Sequence, residues 1–67
     1  MYQSYNATYG AYGVIWHSLA EACVAVRYFS REFHSTHCVV DCETGEVLRI
    51  YENGTENIQR IRKEIQT

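Results

Sequence analysis

The first twenty residues contain no Asp, Glu, Lys or Arg, and Glu21 is the first charged side chain. A stretch of this kind raises the question of a membrane segment. Gln3, Ser4, Asn6, Thr8, Gly10 and Gly13 interrupt it and no sustained aliphatic run is present, so neither a signal peptide nor a spanning helix fits. A basic excess is lacking too. Six Lys and Arg stand against eight Asp and Glu, for a net charge of −2, which removes the force behind non-specific binding to a phosphate backbone. The acidity is equally too thin for a polyanion mimic. Linkers, repeats and low-complexity segments are absent. With no export signal, Cys23, Cys38 and Cys42 are expected to be reduced thiols of a cytoplasmic protein.

What is present is a single domain of 67 residues. At this size folding removes only about 60% of the unfolded chain's surface. A disulfide, a metal or a second subunit is the usual supplement.

Ser18-Leu19-Ala20-Glu21 reads as a capping box, the serine oxygen taking the amide of Glu21. Behind it Leu19, Ala22, Cys23, Val26, Phe29 and Phe33 fall on one helical face, which predicts a helix over 19–33. Its outward side carries Val24 and Tyr28 one turn apart. Next, His37 to Asp41 and Val47 to Tyr51 are β-rich runs around Cys42-Glu43-Thr44-Gly45-Glu46. A type I turn with Gly45 at positive φ would close a hairpin of strands 36–42 and 46–51. In that register Val40 faces Leu48 and Cys38 faces Ile50, the side expected beneath the helix. Val39, Arg49, His37, Tyr51 and Val47 then occupy the outer face.

Tyr9 to Trp16 alternates small and aromatic residues and is expected to be a first strand, 9–16. Residues 1–8 are expected to be disordered. A rival reading places Tyr2, Tyr5, Tyr9, Tyr12 and Trp16 on a helical stripe, but Gly10 and Gly13 would each cost a helix about 1 kcal/mol relative to alanine. Asn53-Gly54 should end the second hairpin strand. Thr55 is then a fair N-cap for a helix over 55–65 with Ile58, Ile61 and Ile65 on one side. The expected fold is α+β in the order β-α-β-β-α, a helix packed on a three-stranded, mainly antiparallel sheet, with a short C-terminal helix.

A strand, a capped helix, and the run Val39-Val40-Asp41-Cys42-Glu43-Thr44-Gly45-Glu46-Val47 through Tyr51-Glu52-Asn53-Gly54 together resemble short accessory proteins of bacteriophages and mobile elements, small anti-CRISPR proteins among them. The resemblance covers roughly Val14 to Gly54 and implies an inhibitor or accessory role. It carries over no functional residue.

His34, His37, Cys38 and Cys42 are zinc-ligand types in close sequence. On a strand, however, Cys38 and Cys42 lie about 13 Å apart at ~3.3 Å per residue, too far to share one metal. A disulfide between them is excluded on the same ground, since it needs alpha carbons closer than about 7 Å. Core thiols are the expectation. Nucleophilic catalysis needs a base beside a thiol or hydroxyl, and His17, His34 and His37 make no such pair. No catalytic, cofactor-binding or metal-binding residue is therefore assigned. What remains is association with a protein partner, a second copy included, through Val24, Tyr28, Val39, Val47, Arg49, Tyr51, Ile58, Ile61 and Ile65, because tyrosine and arginine are enriched at interface centres. The alternative is single-stranded nucleic acid stacked on a tyrosine and arginine face of the sheet.

Overall fold

The computed structural model describes residues 1–57. Ile58, Ile61 and Ile65, with the greater part of the expected last helix, lie outside the described residues. The elements are β1 (Tyr2–Asn6), β2 (Ala11–Trp16), α1 (Leu19–Glu32), β3 (Thr36–Asp41), β4 (Val47–Glu52) and β5 (Thr55–Glu56). The strands form one antiparallel sheet in the order β2-β1-β3-β4-β5. The α+β class is as expected, but the three-stranded sheet with a C-terminal helix is not. Among the described residues there are five strands and one helix.

Both extra strands come from turns whose chemistry is local. Residues 1–8, expected to be disordered, hold β1, the strand between β2 and β3. Asn6 makes the following turn, its Oδ1 accepting from the amides of Thr8 (3.0 Å) and Tyr9 (3.2 Å). Gly10 then takes φ +72° and donates to the Asn6 carbonyl, so the second strand begins at Ala11 rather than Tyr9. At the other end, Asn53 (φ +50°) and Gly54 (φ +83°) form a two-residue turn with both central residues left-handed, the geometry that matches strand twist. Glu52 therefore pairs with Thr55, and Thr55 is a strand residue rather than a helix cap.

The helix holds to its boundaries within a residue. Ser18 Oγ accepts from the Glu21 amide at 3.4 Å. Its C-terminus closes through Ser35 N to Ser30 O (3.1 Å) and His34 N to Arg31 O (3.4 Å), with His34 at φ +48°, the paired bonds of a Schellman motif. His34 Nδ1 also meets Asn53 Oδ1 at 3.1 Å.

The β3–β4 register agrees with expectation at His37 opposite Tyr51, Cys38 opposite Ile50 and Val39 opposite Arg49. Leu48 is then bulged, and Val40 faces Val47. Gly45 is left-handed at φ +75°, and Asp41 N bonds Glu46 O at 2.9 Å to close the loop.

The faces are reversed. Helix α1 covers the side bearing Val39 and Tyr51, which pack with Ala22 and Val26 and are joined by Tyr2, Trp16, Leu19 and Cys23. Cys38, Val40 and Ile50 form a second buried cluster with Tyr5 and Val47. The decisive contact is one the apolar pattern does not contain. Ser30, fully buried, donates to the Arg27 carbonyl (2.8 Å) and accepts from Gly54 N (2.9 Å), while Arg27 Nε donates to Gly54 O (2.9 Å). These bonds tie the C-terminal half of α1 to the β4–β5 turn. No buried side-chain polar atom among the described residues lacks a partner.

Candidate binding surface

Strand β2 ends the sheet, and Ala11 to Ile15 are all exposed. Its shape depends on one irregularity. Opposite β1 the register runs Tyr2–Trp16 and Gln3–Ile15, then jumps to Tyr5–Tyr12, leaving Gly13 and Val14 together against Ser4. This bulge inverts the alternation of side chains. Trp16 stays on the helix side, packed at 6.3 Å between ring centres from Phe29, while Tyr12 turns to the far side against Tyr5 at 4.7 Å. Gly13 permits the bulge, because a Cβ there would stand 2.5 Å from Ser4 Oγ.

Between β2 and the end of α1 runs a groove of about 360 Å³, lined by Tyr12, Gly13, Val14, Phe29, Phe33 and His37 with parts of β1. Its wall is aromatic. Phe29 lies 6.1 Å from the His37 ring and 6.3 Å from Phe33, and Phe33 stacks on His37 at 6.2 Å. Phe33, expected to face the core, is 65% exposed, since the chain leaves the helix there. His37 is buried, meets Ser35 Oγ through Nδ1 at 2.9 Å, and burial holds its imidazole below the ordinary value. A neutral ring is what an apolar wall requires.

A second, polar pocket of about 400 Å³ lies between α1 and β5, lined by Cys23, Val24, Arg27, Tyr51, Thr55 and Glu56. Burial first, then a hydrogen bond with Cys23 and the charges of Cys23 and Glu56, push the Tyr51 phenol above its ordinary value, with Arg49 opposing. Glu56 is held by Arg49 at 3.2 Å. No histidine lines this pocket.

The residues expected to form one interaction surface are thus divided. Val24 and Tyr28 are exposed on α1, at 73% and 56%. Val39 and Tyr51 are buried beneath the helix, a correction that follows from the reversed faces. Val47 is half-buried in the second cluster, and Arg49 is half-buried and paired with Glu56. The exposed run Ala11–Ile15 with Phe33 was missed. The absence of Asp, Glu, Lys and Arg from the first twenty residues is its signal in the sequence.

His37 faces the helix and Cys38 the opposite cluster, and among the described residues no three His, Cys, Asp or Glu side chains converge on a metal position. Nor is any helix among the described residues long and apolar enough to cross a membrane. No protein-family model matches the chain, and neither the curated proteins nor the solved structures contain a match.

Proposed function

We propose that the chain is a non-catalytic protein-binding module whose contact surface is β2 with the aromatic groove beside it. The observation that carries this reading is an exposed edge strand, Ala11–Trp16, flanked by exposed Tyr9, Tyr12, Val14, Ile15 and Phe33 and free of charge. Exposed apolar side chains gathered on one edge strand mark an interaction site on a small protein, and an open sheet edge offers main-chain bonds to an added strand. The resemblance to phage accessory proteins implies the finer version, an inhibitor that acts by associating with a host protein.

The test compares proteins recovered with the tagged chain and with its Val14→Lys and Phe33→Ser variants, each first shown to be folded by circular dichroism. Loss of specific partners with either variant is expected. Recovery of the same partners by all three chains would overturn the reading.

Single-stranded nucleic acid fits less well. Tyr51 and His37, two of the stacking groups that reading needs, lie under α1, and Arg49 is engaged by Glu56. Of the exposed tyrosines, Tyr9 and Tyr12 belong to a stretch without a Lys or Arg to hold phosphate, and Tyr28 is on α1 rather than on the sheet.

A further inference from the structure

The two ends of the sheet are built differently. Strand β5 carries Glu56, bonded to Arg49; charge is one of the devices by which natural sheets discourage edge pairing. Strand β2 is six residues long, without Lys, Arg, Asp, Glu or Pro, and no described strand pairs with its outer side. The bulge at Gly13–Val14 is the one such device on it. From this contrast, and resting on the reading of β2 as the contact surface, we infer that the first partner of β2 is a second copy of the same strand, added antiparallel about a two-fold axis.

Charge selects this occupant. Isologous pairing sets a strand against its own sequence, so any charge near the axis meets its equal, and like charges directly opposite destabilise a strand pair. The nearest Asp, Glu, Lys or Arg along the chain is Glu21, past the end of β2. His17 follows Trp16, and antiparallel pairing carries it to the far end of the partner strand rather than to its own counterpart. A foreign partner chosen by charge would find nothing here to recognise, whereas a self-pair needs none. Six residues are fewer than the 20–30 or so per side of a standard interface, so the contact must extend beyond the strand, over Ile15 on one face and over the groove with Val14 and Phe33 on the other, Val14 and Ile15 each being 51% exposed. Such a pair would also supplement a core limited to Ala22, Val26, Cys38, Val39, Val40, Ile50 and Tyr51 among the described residues.

Sedimentation equilibrium of the full chain across a micromolar to millimolar range is the experiment, with the monomer at 7.8 kDa. A species of twice that mass is expected. Val14→Lys and Ile15→Lys should each weaken it at least tenfold, and Glu43→Lys in the distant hairpin loop should leave it unchanged. Amide exchange in β2 should slow as concentration rises, a readout that needs no variant. A monomer throughout, exchange in β2 independent of concentration, or a dimer indifferent to both lysines would each overturn the inference. If the chain stays monomeric while Val14→Lys still abolishes capture of a partner, self-pairing fails and the broader binding reading survives. If both lysines split the dimer but capture is unaffected, self-pairing stands and the broader reading fails.

Discussion

Replacing Gly13 with alanine probes the bulge on which the shape of β2 depends. The added Cβ would lie 2.5 Å from Ser4 Oγ, roughly 1 Å inside the optimal separation for non-bonded atoms of about 3.5 Å. Ser4 is only 5% exposed, on a strand paired on both sides, so its hydroxyl has little room to withdraw. Overpacking of this kind typically costs about 1–3 kcal/mol, and the lower chain entropy of alanine in the unfolded state returns about 0.4–1 kcal/mol of that. The net loss is on the order of 1–2 kcal/mol, which for a domain this small lowers Tm by about 4–8 °C per kcal/mol. Ser4→Ala removes the obstructing oxygen and leaves the Ser4 Cβ at 3.9 Å, an ordinary contact. The double variant should therefore recover most of the loss, with a favourable coupling of about 1 kcal/mol in the four-protein cycle. Thermal and urea unfolding followed by circular dichroism measure it. A Gly13→Ala chain as stable as the parent, or two substitutions that simply add, would refute the placement of Gly13 against Ser4.

Two further outcomes follow from the core. Ile50→Ala, at a position 2% exposed, should cost about 2–5 kcal/mol, while Val24→Ala, at 73% exposure, should stay within about 0.5 kcal/mol; urea midpoints that fail to separate them would contradict the burial described. The second concerns His37, whose folded pKa lies below the ordinary 6.5 because it is buried. Below that pH the unfolded chain binds the proton that the folded chain resists, so this residue's contribution is complete above pH 6.5 and declines as pH falls towards the folded value. The slope is at most about 1.4 kcal/mol per pH unit. Urea unfolding between pH 7 and 5 should show the decline, and His37→Asn should flatten it. A parent chain that gains stability on acidification over that interval would reverse the sign and refute the burial of a neutral ring.

Much of the centre of the fold was legible because it is encoded locally. Ser18 and Glu21 mark the start of α1, Gly45 marks the β3–β4 loop, and cross-strand alternation gives three of the β3–β4 pairs. The ends were misread where one residue type admits two uses. Asn53-Gly54 serves as a hairpin turn rather than a strand terminator, and its dipeptide is the usual hairpin signal. Asn6 organises the first turn with a side-chain oxygen, which a scan for glycine and proline passes over. The reversed faces have a different cause. Cys38, Val40 and Ile50 are as apolar as Val39 and Tyr51, so periodicity cannot choose between the two sides. On the covered side Ser30 and Arg27 reach Gly54, polar contacts between distant parts of the chain that carry no signal in hydropathy. The candidate site was hidden for the same reason, since β2 is recognisable as an edge only once β1 is known to lie between it and β3.

The difference between the two sheet ends also bears on how far association can proceed. A sheet open at both edges can add copies without limit, and uncharged strands at both ends invite fibrous growth. In the proposed antiparallel pair the open edge of each copy would be used, leaving, among the described strands, the two β5 ends outermost. Each of those carries Glu56, so a third copy would meet a charged strand on either side. Isologous contacts close on themselves. The N-terminal hairpin without Asp, Glu, Lys or Arg, a hazard if the rest of the sheet were like it, would thereby be confined to one edge, where pairing once would also be pairing for the last time.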